Sequence, residues 1–242
     1  MTDSGKVRQQ NQDIFKILYD EDKNVAVFVV CDGIGGARAG NVASTLAAET
    51  FMHNIGGFIE NIENVDSIDE IAKNMKNAVL AANKAVYEKS SREDDYAGMG
   101  TTLTAAISTS GGEVIANIGD SRAYHITPDG ITQITRDHSV VEDMVLRGDI
   151  TRAEAGRHPS KHLITRALGT NRVERPDMFQ VSMDSGDHIL LCSDGLSDIV
   201  TENEIIHELQ RGAGVRESCE SLVATVLARG APDNVTAVIF RK

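Results

Sequence analysis

Four times along this chain of 242 residues an aspartate stands at the edge of an apolar run. VAVFVVCDG ends at Asp32-Gly33 and HILLCSDG at Asp194-Gly195; EVIANIGD ends at Asp120, and Asp233-Asn234 directly precedes VTAVIF. Each run is short and rich in β-branched residues, the pattern of a core strand, so the four carboxylates flank strand ends that could converge. Gathered within a few ångströms, like charges would destabilise the fold or raise one another's pKa unless something positive lay between them. A hard divalent cation with oxygen ligands, Mg²⁺ or Mn²⁺, resolves that conflict, and Gly33, lacking a β-carbon, can bring its carbonyl close as a further ligand. Strand ends are also ordinary places for Asp-Gly turns; the weight lies in four such sites together.

Two adjacent ions in an aspartate-rich site lower the pKa of a shared water and clamp the attacking and leaving oxygens of a phosphate ester, so hydrolysis proceeds without a covalent intermediate. The phosphate needs a positive partner. Arg8, five residues before Asp13, is the candidate, because a guanidinium holds two phosphate oxygens in a fork.

Rival chemistries fit less well. Gly119-Asp120-Ser121-Arg122-Ala123 departs from the nucleophile elbow by one residue and precedes a strand where the elbow requires a helix. None of the seven histidines belongs to a His-Glu-x-x-His pair, and no histidine is expected among the metal ligands; His138, beside Asp137, reads as a structural contact. Between Gly33 and Gly40, Arg38 stands where a dinucleotide-binding loop needs its third glycine. None of Cys31, Cys192 and Cys219 has the arginine six residues on that a thiolate phosphatase loop requires, and Cys31 and Cys192 read as buried apolar residues.

The elements that must position these side chains follow from periodicity. Strands are expected over Val25 to Cys31, Leu103 to Ile107, Val114 to Ile118, Ala123 to Ile126, Ile189 to Cys192 and Val235 to Phe240, with Pro128-Asp129-Gly130 as a hairpin turn. One alanine-rich helix is expected from about Ala39 to His53. A second starts at Ser67, with Glu70 completing a capping box and an apolar face of Ile68, Ile71, Met75, Val79, Ala82 and Val86. Thr201 and Glu204 form another box ahead of a helix from Glu204 to Arg211, and a last helix runs from Val215 to Arg229, stopped by Gly230. Hairpin-linked strands with helices in pairs imply an α+β fold in one domain.

Ordinary globular composition, no apolar stretch near the length of a bilayer span and no signal-peptide core at the start imply a cytoplasmic protein. The formal charge of −12 argues against nucleic acid or membrane as partners.

The segments TDSGKVRQQNQD, VVCDGIGG, GMGTTLTAA, NIGDSRAY, LLCSDGLSD and APDNVTAVIF together resemble the metal-dependent protein phosphatases of type 2C, in their compact bacterial form, in the family's order and over nearly the whole chain. The resemblance implies a four-layer α-β-β-α sandwich of two antiparallel sheets flanked by helix pairs, and a serine/threonine protein phosphatase using two central Mn²⁺ or Mg²⁺ ions and a third. It implies that Asp32 bridges the central ions with the Gly33 carbonyl on one, that Asp194 and Asp233 complete the other, and that Asp13 holds metal-bound water from behind. It further implies that Asp120 and Asp194 bind the third ion and that Arg8 binds the substrate phosphate. Phosphorylated proteins, substrates of a cognate serine/threonine kinase, are the implied partners in a signalling role, for a monomer with a mobile flap around 137–171. Gln12 and Ile34 depart from relatives that carry Glu and His there, so a water on the third ion is the expected proton donor to the leaving alkoxide. From Arg147 to Arg175 seven Lys or Arg stand against three acids, a patch that could steer an anionic phosphopeptide. The alternative is a catalytically silent relative that binds metal or phosphoprotein as a regulatory module.

Overall fold

The computed structural model describes residues 1–36, 39–62 and 67–242; Arg38 lies outside them. Eleven strands are described: β1 (Thr2–Asp3), β2 (Asp13–Asp20), β3 (Val25–Ile34), β4 (Gly100–Thr101), β5 (Leu103–Thr109), β6 (Gly112–Ile118), β7 (Arg122–Thr127), β8 (Gly130–Gln133), β9 (Asp177–Val181), β10 (His188–Cys192) and β11 (Val235–Arg241). The helices are α1 (Ala39–Asn61), α2 (Ile68–Arg92), α3 (Val140–Arg147), α4 (Arg152–Ala155), α5 (Asp194–Ser197), α6 (Glu202–Gln210) and α7 (Val215–Ala228). One sheet has the order β1-β11-β10-β7-β8 and the other β2-β3-β5-β6-β9, with β4 on β3; these pairings are antiparallel.

Strand alternation explains the layering. On β3, Val25, Val27, Val29 and Cys31 pack with the buried faces of α1 and α2, whereas Ala26, Phe28 and Val30 meet Ile189, Leu191 and Val238 of the other sheet. The outer face of that second sheet, with Leu190, Cys192, Ala237 and Ile239, is covered by Leu209 of α6 and Leu222, Val223 and Val226 of α7. The fold is therefore α+β, two antiparallel sheets back to back between helices, with three apolar layers.

At one end of the central layer the same alternation changes chemistry. Asp32 continues the inward series Ala26, Phe28 and Val30, while Asp13 continues from Phe15 and Thr236 from Val238. Period two thus delivers polar groups where the apolar filling stops.

The expected strands are present within a few residues, and the 128–130 turn closes the β7-β8 hairpin. The Thr201–Glu204 box is formed in full at α6. Three local expectations need correction. Ser67 is the N-cap of α2 but makes no side-chain cap hydrogen bond. Helix α1 runs on past His53 to Asn61, because Ile55 and Ile59 remain buried and Lys23 Nζ caps its last turn through the carbonyls of Ile59, Glu60 and Ile62. Strands β2 and β9 were not expected: Ile17 and Tyr19 of β2 are exposed, and β9 follows Pro176. Cys31, Cys192 and Cys219 are buried and unpaired, as read for the first two.

Segment 137–171 leaves the sandwich between β8 and β9. Ser139 caps α3, Gly148 ends it in the left-handed region, and Thr151 with Glu154 makes a capping box for α4. The bridge Ser139↔Ile164 closes the segment on itself, and Thr101↔Leu168 returns it to the body.

Candidate metal and phosphate site

The polar end of the central layer opens into a cleft of about 580 Å³ whose lining includes Arg8, Asp32, Gly33, Asp120, Asp194 and Asp233. These residues come from five separate segments of the chain: the N-terminal loop, the end of β3, the turn after β6, the start of α5 and the loop before β11. Asp13 stands behind the cleft, 4% exposed, as the Cα partner of Asp32 across β2 and β3. All the residues singled out from sequence are therefore brought together.

Electrostatics set these carboxylates apart from ordinary surface acids. Burial, then the charges of Asp13 and Asp194, raises the pKa of Asp32 well above the usual range. Burial also lifts Asp13 to about 6 against hydrogen bonds from Ser193 and Thr236 that pull it down. Asp194 rises to about 6 through burial and the charges of Asp198 and Asp233, and Asp120 to about 8 through burial and the charges of Asp194 and Asp137. Clustered like charges in a desolvated place hold protons unless a cation replaces them.

The residues fit a pair of hard cations. Asp13 Oδ1 and Asp194 Oδ1 are buried oxygens without a hydrogen-bond partner, which is costly unless another electrophile meets them. A β-carbon at Gly33 would lie 2.2 Å from the Gly40 carbonyl oxygen and 2.9 Å from that of Gln12, so only glycine lets the first turn of α1 close on this strand end. The donors are all oxygen, the set that Mg²⁺ and Mn²⁺ prefer.

Several supporting residues escaped the sequence reading. Thr102 Oγ1 accepts from the Asp32 amide at 2.9 Å and lies 2.8 Å from Ser121 Oγ, coupling the Asp32 and Asp120 strand ends. Ser193 Oγ and Thr236 Oγ1 each donate to Asp13 Oδ2 at 2.7 Å. Asn234 accepts from the Gln12 amide and donates to the carbonyls of Ser4 and Gln10, lashing the segment that carries Arg8 to the loop that carries Asp233. Ser193 and Asn234 sit beside residues already singled out, yet their partners are far away in sequence.

Arg8 forms a fork on Asp233, Nε to Oδ1 at 2.9 Å and Nη2 to Oδ2 at 2.8 Å. Ile34, 37% exposed, lines the cleft at the place expected to lack an imidazole, while His162 lines it from another side. Ligand atoms of His162, Asp194 and Asp198 all lie within 4.8 Å of one another, so an imidazole stands beside the expected metal ligand Asp194. The basic patch is also modified by pairing. Arg147 meets Asp149, Arg152 meets Glu142, Lys161 meets Asp198, and Arg166 meets both Glu174 and Asp177.

Two back-to-back antiparallel sheets with an aspartate cluster at their shared end define a metallohydrolase site, and comparison with known proteins specifies it. The family model for protein phosphatase 2C matches residues 5–237. A serine/threonine phosphatase, stp, of Listeria innocua is 34% identical over 241 residues, covering 100% of this chain and 94% of the relative. The crystal structure of the Mycobacterium tuberculosis serine/threonine phosphatase PstP/Ppp superposes with a TM-score of 0.85 at 37% identity, covering 99% of this chain and 95% of that one. The catalytic domain of PstP in complex with two manganese ions gives 0.81 at 36% identity, covering 99% and 94%. The chain belongs to the protein phosphatase 2C family. It is a phosphatase enzyme of that metal-dependent family, and the reading as a silent relative is not favoured.

Proposed function

We propose that the chain removes phosphate from phosphoserine and phosphothreonine in proteins, using Mn²⁺ or Mg²⁺ in the cleft. The observation that carries this reading is the convergence of Asp32, Asp120, Asp194 and Asp233, from four distant segments, on one cleft that also contains Arg8.

Asp32 and the Gly33 carbonyl would hold the central ions together with Asp194 and Asp233, and Asp120 with Asp194 would hold a third. When bound, the ions supply a water of lowered pKa and charge compensation for the phosphoryl group. The remaining work falls to this chain. Asp13, fixed by Ser193 and Thr236 against the back of Asp32, orients and accepts protons from what lies in front of it. Arg8, more than half exposed, offers its fork to two phosphate oxygens, and Asn234 keeps the loop that carries it in place. Ile34 has no proton to give, so the leaving alkoxide takes its proton from solvent within the cleft rather than from that side chain. The segment 137–171 is the flap of a single catalytic domain, and Arg157 within it, with Arg172 and Arg175 just beyond, meets the phosphoprotein.

The manganese-loaded neighbour supports Mn²⁺ for the two central positions. Among the described residues no helix is long and apolar enough to cross a membrane, which suits a cytoplasmic enzyme; a monomer that opposes a serine/threonine kinase in signalling completes the reading.

The test is phosphate release from a phosphothreonine peptide with and without Mn²⁺. Activity should depend on the ion and be lost in Asp32→Ala and in Asp194→Ala. Retention of metal-dependent turnover in either variant would overturn the site.

A further inference from the structure

His138 lies 4% exposed between the turn that carries Asp120 and the root of segment 137–171. It meets Gly119 twice. Its backbone amide donates to the Gly119 carbonyl at 3.0 Å, and its ring Nδ1 accepts from the Gly119 amide at 3.0 Å. Gly119 has φ +105°, and a β-carbon there would fall 2.5 Å from Thr102 Cγ2, so the turn leading to Asp120 is packed closely against Thr102 in a conformation that suits only glycine. On the other side the His138 carbonyl accepts from the Thr165 amide at 2.8 Å, and Nε2 faces Asp177 Oδ2 at 3.2 Å.

The ring's contacts fix its tautomer. A bare Nδ1 and a protonated Nε2 satisfy both the Gly119 amide and the Asp177 carboxylate. Arg166 Nη1 also approaches Nε2, at 2.7 Å, but it can only donate; with Nε2 protonated this approach is not a hydrogen bond, and the same Nη1 is satisfied by Asp177 Oδ1 at 2.8 Å. The opposite tautomer would set two N–H groups against each other at Gly119 and leave Asp177 without the ring's proton. Burial, helped by the Arg166 charge, keeps the imidazole neutral by lowering its pKa.

We infer that His138 is a positioning residue: its bare Nδ1, with its own backbone amide, clamps Gly119 and so aims the Asp120 carboxylate into the cleft, tying that aim to the base of segment 137–171. The inference rests on Asp120 being a ligand of a third ion, as proposed above. Outer-shell groups that orient ligands change metal affinity when removed, by about 10- to 100-fold.

Two measurements on the full chain test it. Nitrogen-15 NMR of the metal-free protein should show His138 with Nε2 protonated and Nδ1 bare; the opposite tautomer would overturn the clamp whatever the variants do. Calorimetric titration with Mn²⁺ should then show the weakest site weakened about tenfold in His138→Leu, with the tighter sites unchanged. His138→Asn, whose amide oxygen sits near the place of Nδ1, should keep that site within about threefold of wild type. His138→Leu binding its weakest ion as tightly as wild type, or a folded His138→Asn as weak as Leu, would overturn the positioning role. Asp120→Asn serves as the reference. If it keeps the weakest site, Asp120 is no ligand and the inference falls with that reading; if it loses the site while His138→Leu does not, only the positioning role falls.

Discussion

Asp13 and Asp32 are register partners on adjacent strands, their carboxyl groups facing the same sheet-to-sheet layer. Like charges directly opposite across a strand pair destabilise it, and here burial compounds the repulsion.

The pH dependence follows from that pairing. A carboxyl whose native pKa is raised keeps its proton in the fold; its favourable contribution is complete below the ordinary carboxylate range and disappears as pH climbs through the native value. With Asp120 near 8 and Asp32 raised well above the usual carboxylate range, the chelated protein should lose thermal stability between pH 6.5 and 8.5, whereas Asp13 and Asp194, near 6, lose their contribution below that window. His138 and His188, whose lowered pKa values place their contribution below pH 6.5, do not act in that window. Saturating Mn²⁺ should remove the loss, and Asp32→Asn should reduce it without metal. A chelated wild type whose melting temperature holds level from pH 6.5 to 8.5 would contradict this.

Arg8 pairs with Asp233 at the surface, 56% and 36% exposed, so the pair contributes at most about 1 kcal/mol to stability. Arg8→Ala should therefore fold normally, while KM for a phosphopeptide rises about tenfold, the loss of a charge-assisted fork. Arg8→Lys should recover only part of this, because an ammonium cannot make the fork. Steady-state kinetics beside a thermal melt check both halves.

Thr102 satisfies the Asp32 amide and approaches Ser121 from a position 1% exposed. Thr102→Val keeps the shape and removes the hydroxyl, so a buried donor is stranded at a cost of about 1–3 kcal/mol. Thr102→Ser should restore most of it. Urea denaturation of the chelated protein measures the difference, and identical midpoints for Val and wild type would show that the hydroxyl is not needed there.

Gly33→Ala drives a methyl into the Gly40 carbonyl, so helix α1 or strand β3 must shift. Overpacking of this kind costs about 1–3 kcal/mol, and the displaced backbone carbonyl should also weaken central Mn²⁺ binding. Calorimetry that found both central ions bound as in wild type would argue that Gly33 contributes no ligand.

Much of the enzyme was legible in its amino acids because the relevant signals are local. Alternation in VAVFVVC and the break at Asp32 specify both a two-faced buried strand and where it ends; Thr201 and Glu204, three residues apart, cap a helix by themselves. The carboxylates could be picked out because each sits beside such a break. What stayed hidden depends on partners remote in sequence. Asp13–Asp20 hides as a strand because its outer face keeps Ile17 and Tyr19 exposed, and the glycines at 56 and 57 argue against a helix that burial of Ile55 and Ile59 nevertheless sustains.

Apart from strands such as β2 and β9, the sequence alone thus determined the element types and the identity of the acids, since both follow from patterns a few residues long. Only the tertiary structure decided that Arg8 grips Asp233 across 225 residues, that His162 and Asp198 join Asp194, and that His138 holds Gly119. Those contacts arise when two sheets close on each other, and no local periodicity records which distant side chain will then lie opposite.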